Sequence, residues 1–276
     1  MTGAGGMLAR DLLQVLRGSG EDVIGMPHAR LDITSRAAVD RCFALYQPRI
    51  VVNCAAWTDV EGAERNEAEA LRLNGTAVEI VTAACAKAGA HLVHVSTDYV
   101  FDGQASEPYP EDAIACPVNA YGRTKLVGER AVVKVLPESA TIVRTAWLFG
   151  ENGRNFATTM LELERRCRVV DVVDDLWGQP TWTMDVARQI YRLGKAHASG
   201  IYHVTSSGAA TWNCFAREIF RYVGADPTRV RAVSAARYPS VVRRPRYTVL
   251  GDNSWLPPMP HWTAAVHAYL TSRTVR

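Results

Sequence analysis

The sequence predicts an α/β protein built on a doubly wound parallel sheet, followed by a smaller α/β lobe. Three observations carry that prediction. Strand-like and helix-like segments alternate through the first half of the chain, the pattern of a parallel sheet covered by helices on both faces. A glycine-rich turn, Thr2-Gly3-Ala4-Gly5-Gly6, runs straight into an apolar helical repeat. Several apolar runs end in small, hydroxyl-bearing or acidic residues, and in open α/β sheets ligands collect at the carboxyl ends of the strands.

Taken in order, Leu8, Leu12, Leu13 and Leu16 predict a helix over 6–18 that stops at Gly18 and Gly20. Residues 22–26 read as a strand, 35–46 as a helix and 49–53 as a strand. One long helix over 67–88, closed by Gly89, leads to a strand over 91–96. Residues 102–119, rich in Pro, Asp and Gly, form a long loop of the kind that often serves a site. A helix over 121–135 and a strand over 141–145 complete the first lobe, 1–148. The remaining 149–276 form mainly the second lobe, with some segments returning to the first. Helices are expected there at 154–166, 184–197, 211–223 and 262–272, with short strands at 169–173, 200–204 and 229–233. A dinucleotide-binding fold needs a central strand before its glycine turn. The turn here begins at Thr2, so that strand is expected to be missing.

The bulk properties narrow the function classes. The chain has 276 residues, enough for a large core, with 48% hydrophobic and 21% charged residues. A net charge of only +3 gives no compositional support for nucleic-acid or membrane binding. No apolar run approaches the roughly 20 residues of a membrane span, and no charged-then-apolar leader opens the sequence. The six cysteines are scattered, without a CxxC pair or metal-like spacing, which fits a reducing, cytoplasmic location.

The chemistry centres on Tyr121-Gly-Arg-Thr-Lys125. Two side chains four apart on a helix share a face, and an ammonium beside a phenol favours the phenolate, lowering a pKa that starts near ~10. That makes Tyr121 a candidate proton donor to a carbonyl under reduction. The run His91-Leu-Val-His-Val-Ser-Thr-Asp-Tyr-Val-Phe101 places Thr97 at a strand end, where it can hydrogen-bond a carbonyl, although such residues are also common in ordinary turns. In Val51-Val-Asn-Cys-Ala-Ala-Trp-Thr58, two alanines at a strand end leave room for a flat ligand. The spacing Gly3-x-x-Gly6-x-x-Ala9 suits close approach of a pyrophosphate to a helix N-terminus.

These features in this order resemble the extended short-chain dehydrogenase/reductase family, and within it the dTDP-4-dehydrorhamnose reductase family. The resemblance spans nearly the whole chain: residues 2–9, NCAAWTDVEGAE (53–64), STDYVF (96–101), YGRTK (121–125), RTAW (144–147), Asn155-Phe156, Gly178-Gln-Pro-Thr181, Thr211-Trp212 and Arg243-Arg-Pro245. It implies a Rossmann-type lobe and NAD(P)H-dependent reduction of the C4 keto group of a dTDP-4-keto-6-deoxy-L-hexose. The substrate implied first is dTDP-4-dehydro-L-rhamnose. Related antibiotic-sugar ketoreductases, such as dTDP-dihydrostreptose synthases, share these motifs, and a non-catalytic regulatory subunit on the same fold is the reading from another class.

The resemblance further implies a catalytic set of Thr97, Tyr121 and Lys125. It places Gly3, Gly6, Met7 and Leu8 at the pyrophosphate, Asp32 and Ile33 at the adenine, and Ala55, Ala56 and Trp57 along the cofactor, with Tyr121 and Lys125 beside its ribose. Asp98 and Trp147 would face the sugar with Thr97, and Arg244 would meet the diphosphate. Asp32 has a rival role before the helix starting near Ser35, and Trp147 one as core. No carboxylate stands at the end of the 22–26 segment to accept from a ribose 2′-OH; Arg30 and His28 follow instead. NADPH is therefore the expected cofactor, with NADH also accepted. No metal is expected, and the chain is expected to be a monomer or homodimer.

Overall fold

A computed structural model gives the fold and describes residues 1–238, 240–251 and 256–274. The main sheet holds four parallel strands, β1 (Ile50–Asn53), β2 (His91–Thr97), β3 (Ala140–Thr145) and β8 (Gly200–His203), in the order β1-β2-β3-β8. The side chains of β1, β2 and β3 are mostly buried on both faces, as parallel strands covered by helices must be, while the edge strand β8 is only partly buried. One face carries α2 (Arg36–Tyr46) and α5 (Ala77–Ala88), joined in one core by Val39, Val78, Val81, Leu92 and Ile142, with α6 (Ala120–Val135) against α5. The other face carries α1 (Met7–Gly18) and α8 (Thr183–Lys195), where Leu8 and Leu12 meet Val186, Ile190 and Val93.

The outer edge beyond β1 differs from expectation. Residues 22–26 do not form a strand. Thr2 pairs through single parallel bridges with Met26 on one side and Asn53 on the other, and its N–H donates to Val52 O at 2.9 Å. Met26 N–H donates to Met1 O at 2.8 Å. A strand persists only where a neighbour satisfies its backbone, and here that pairing is confined to Met26. Above Met1 and Thr2 a groove of about 600 Å³ separates 22–26 from β1, lined by Leu12, Leu16, Ile24, Phe43 and Val52 among others. The Met1 ammonium donates to Ile24 O from within it, and burial lowers its pKa.

The expected single helix over 67–88 is three pieces: α4 (Glu67–Leu71), a π turn at Arg72–Thr76, and α5. The wider turn is fixed by Asn74, whose side chain accepts from Trp57 N–H at 2.8 Å and donates to Trp57 O at 3.1 Å and Thr124 Oγ1 at 3.2 Å. Such bulges recur at functional sites. A short α3 (Val60–Arg65), capped by Asp59, precedes α4.

The later chain builds a second core from α7 (Phe156–Arg166), α9 (Trp212–Tyr222) and α10 (Trp262–Thr274), packed through Phe149, Met160, Phe215, Phe220, Trp262 and Tyr269. Around it lie parallel β5 (Val170–Val173) with β10 (Val230–Val233), parallel β4 (Leu148–Phe149) with β7 (Thr181–Trp182), and antiparallel β6 (Trp177–Gly178) with β9 (Ala210–Thr211). The 102–119 loop is anchored rather than free. Tyr109 stacks on Phe101 at 4.2 Å and its hydroxyl bonds Asp102, while Glu111 accepts the His203 N–H. Among the described residues no helix is long and apolar enough to cross a membrane.

Candidate active site

The glycine turn is shaped by contact, not only by flexibility. Gly3 has φ +64°, and a Cβ there would sit 2.5 Å from Ala55 N. The turn therefore lies flush against the end of β1, which any side chain would prevent. Behind it α1 starts at Gly6 without a side-chain cap and with no acidic residue in its first turn. Its free N–H groups and positive dipole end thus face outward uncompensated, beside the open space around Gly5. This cradle fits a pyrophosphate. Leu8 itself points into the core, so only its backbone can serve there, and Met7 is half-buried.

At the end of β2 the chain turns sharply through Asp98–Val100. Thr97 caps that turn by accepting the Tyr99 N–H at 3.2 Å, and its hydroxyl donates to Asp98 Oδ1 at 3.0 Å. Asp98 is buried with Oδ2 unpartnered, and burial pushes its pKa up to about 6. Asn119 caps α6 through the Gly122 N–H at 2.9 Å, which fixes where Tyr121 emerges. Tyr121 meets Tyr99 edge-on with ring centroids 5.8 Å apart, and packs with Trp57 against Ala63, Ala70 and Ala120. Burial pushes the Tyr121 phenol up to about 12, partly offset by its hydrogen bond with Thr97.

The expectation that Lys125 lowers the Tyr121 pKa is not met in this arrangement. Lys125 is buried and its Nζ donates to Val95 O at 2.6 Å, within β2. Burial brings its own pKa down to about 8, with Glu129 acting against that fall. Tyr121 is consequently held as a neutral phenol, the form that can give up a proton.

The other expected residues fall into two groups. Ala55, Ala56 and Trp57 line the chain leaving β1, and Trp57 is fixed at both backbone groups by Asn74. Trp147, at φ +44°, stacks on Trp212 with centroids 3.6 Å apart and lies so close to Gly178 that a Cβ there would touch its ring at 2.4 Å. A bulky residue held at positive φ is a strained feature typical of functional sites. Arg244 donates to Glu61 Oε1 at 2.9 Å and to Ser240 Oγ at 3.0 Å. The second group is less engaged with the cleft. Ile33 is core, the Asp32 carboxylate is occupied by Thr34 N–H and Oγ1, and Arg30 sits exposed on the turn after Pro27. Sequence reasoning missed Asn74, Tyr99 and Glu61. Only Asn74 carried a local signal, an Asn-Gly pair inside a helical pattern.

A neutral phenol bonded to a hydroxyl, at strand ends that also face an uncapped helix N-terminus, is an arrangement for protonating a carbonyl oxygen as its carbon takes hydride. The fold and this site define an oxidoreductase of the extended short-chain dehydrogenase/reductase class. More narrowly, the chain belongs to the RmlD substrate binding domain family, whose model matches residues 1–275. It is 51% identical to the dTDP-4-keto-6-deoxy-D-glucose reductase of Streptomyces niveus over 96% of this chain and 94% of that protein. It is 46% identical to a dTDP-4-dehydrorhamnose reductase of Streptomyces griseus over 96% and 90%. The crystal structure of the Bacillus anthracis dTDP-4-dehydrorhamnose reductase in complex with NADP matches with a TM-score of 0.95 at 33% identity, covering 98% of this chain and 97% of that one.

Proposed function

We propose that this enzyme reduces the C4 keto group of a dTDP-4-keto-6-deoxyhexose, with dTDP-4-dehydro-L-rhamnose, giving dTDP-L-rhamnose, as the first substrate. The observation that carries the reading is the placement of the Tyr121 phenol, on α6 one helical turn from Lys125, next to Thr97 at the end of β2. When bound, a nicotinamide cofactor supplies the hydride. Tyr121 O–H gives the proton to the developing alkoxide, and Thr97 steadies that oxygen. Preplaced donors of this kind are the largest usual contribution in such catalysis. Lys125 places a positive charge beneath the reacting oxygen and a donor toward the cofactor ribose. Asp98 and Trp147 hold the sugar. Arg244 offers a guanidinium to the diphosphate, next to a cavity of about 580 Å³ lined by Trp177, Arg246 and Tyr247 among others.

The cofactor rests on Gly3, Gly6 and the α1 N-terminus, with Ala55, Ala56 and Trp57 along it and Asp32 and Ile33 toward the adenine. NADPH is preferred, with the exposed Arg30 on the turn after Pro27 as the guanidinium for a 2′-phosphate, and NADH is accepted. Arg30→Ala is expected to weaken kcat/KM for NADPH more than for NADH; equal losses would overturn the assignment. The two-lobe division at 148/149, a monomer or homodimer, and the cytoplasm complete the reading.

A second reading, a related ketoreductase such as one of an antibiotic sugar, takes a different keto sugar first; the 51% identity to a Streptomyces niveus protein named dTDP-4-keto-6-deoxy-D-glucose reductase favours a substrate other than the L-rhamno sugar. Following NADPH oxidation with a panel of dTDP-4-keto-6-deoxy sugars separates the two. Fastest turnover of the L-rhamno substrate supports the first, fastest turnover of another sugar the second, and no turnover of any sugar removes both.

A further inference from the structure

Beneath the cleft, Lys125 adjoins two buried charges, Glu129 and Arg144, that the reaction just described does not use. Lys125 and Glu129 lie one turn apart on α6, so their side chains share a face. Both are 2% exposed. Glu129 Oε1 accepts Ser96 Oγ at 2.5 Å and Arg144 Nε at 3.0 Å, and Oε2 accepts Arg144 Nη2 at 2.7 Å. Arg144, on β3, is 3% exposed and its Nη1 donates to Glu111 O at 3.3 Å. A bidentate pair buried this deeply holds the carboxylate in one orientation. The cluster therefore carries two cations and one anion in a place where an uncompensated charge is costly.

We propose that Glu129 is a positioning residue for the reductase reaction, its carboxylate, clamped by Arg144 and Ser96, keeping Lys125 charged beneath Tyr121. The proposal rests on the reductase reading above and deepens it. The groups facing Lys125 leave Glu129 alone in this role. From α6 comes Tyr121, neutral because burial pushes it up to about 12. From the end of β1 comes Cys54, likewise pushed up to about 12 and so neutral as a thiol. From β2 comes His94, held far below its ordinary value by burial first and Lys125 second, and so also neutral. From β3 comes Arg144, permanently charged and bonded to Glu129, a cation that cannot support another. Asp98 acts on Tyr121 from the turn after β2. With the Cys54 thiol neutral, the anion that supports Lys125 at working pH is Glu129.

The chain has only four lysines, Lys87, Lys125, Lys134 and Lys195, so the Lys125 ammonium can be titrated directly by NMR of ¹³Cε-labelled lysine, assigned with Lys125→Arg. Glu129→Gln is expected to lower the Lys125 midpoint by about one pH unit or more, the scale of a lost opposite charge nearby. Arg144→Met is expected to move it the other way, because the cation bonded to the Glu129 carboxylate is removed and its negative charge acts on Lys125 unopposed. In kcat/KM profiles the alkaline limb should follow the same two directions. A helix-to-sheet staple with no electrostatic role would lower the melting temperature in both variants and leave the midpoint within about 0.3 units of wild type, well below that scale, and that result overturns the proposal. The opposed signs keep it decidable on whichever variant folds. Absence of turnover with every keto sugar would sink the reductase reading without touching the NMR midpoint, so the two failures are distinguishable.

Discussion

Asp98 is buried and Tyr121 half-buried, the Asp98 charge acts on Tyr121, and desolvation moves both toward the neutral form. For Tyr121 that is the form the proposed proton donation requires. Tyr121→Phe keeps the ring against Tyr99 and Trp57 but removes the proton, so kcat is expected to fall ~10²–10⁴-fold with NADPH binding largely retained; near-normal turnover would reject the role. For Asp98 the neutral form is a stability matter. Its pKa rises from 3.8 to about 6 on folding, so the unfolded chain gives up this proton more readily. Stability is then lost as pH rises from about 4 to about 6, and the cost is complete above that. A shift of about two units corresponds to roughly 3 kcal/mol. Asp98→Asn does not titrate and gives the unpartnered Oδ2 position a donor. It is expected to gain in melting temperature relative to wild type at pH ~7 and not at pH ~4, while losing turnover. An equal gain at both pH values would show that burial of the carboxylate is not the cause. The grouping of Tyr121, Lys125 and Thr97 was read from short motifs taken together with the family resemblance they carry. The direction of the Tyr121 shift was not, because it depends on how deeply the ring is buried and on Lys125 turning to Val95 O, which are tertiary facts.

At the level of elements, the alternation of apolar runs located β1, β2, β3 and the α6 helix closely, since each is bounded by glycine, proline or a capping side chain. The two misreadings have one physical source, neighbours that local pattern cannot report. The 67–88 segment has continuous helical periodicity, yet Asn74 and the close approach of α6 at Gly128, where a Cβ would meet Asn74 O at 2.3 Å, impose a π turn. Residues 22–26 have strand composition, yet their backbone pairing is confined to Met26, bridged to Thr2, while the rest of the segment borders an apolar groove beside β1.

Across the whole molecule, the cleft is closed on one side by contacts between distant parts of the chain. Arg244 bridges to Glu61 on α3, and Ser240 joins the same carboxylate at 2.8 Å. These two bonds, Ser240 before Arg244, hold the Glu61 carboxyl below the usual range. Asn119, the cap of α6, donates to Arg243 O at 3.1 Å, so the same late segment touches the helix that carries Tyr121. Arg244 could therefore be a strut between segments or a diphosphate contact that borrows Glu61 until substrate arrives. The two roles separate on kinetics. Arg244 is about one-third exposed, so the ion pair itself contributes little, typically under ~1 kcal/mol. Losing a guanidinium from a phosphate costs more, roughly 1.5–3 kcal/mol for a charged hydrogen bond, or about 10- to 150-fold in affinity. Arg244→Gln is expected to raise KM for the dTDP sugar on that scale, to change kcat much less, and to leave NADPH binding and the melting temperature close to wild type. Loss of melting temperature with KM unchanged would instead make Arg244 a strut, and the diphosphate would then have to be held by other residues of the same rim, Arg243 or Arg246.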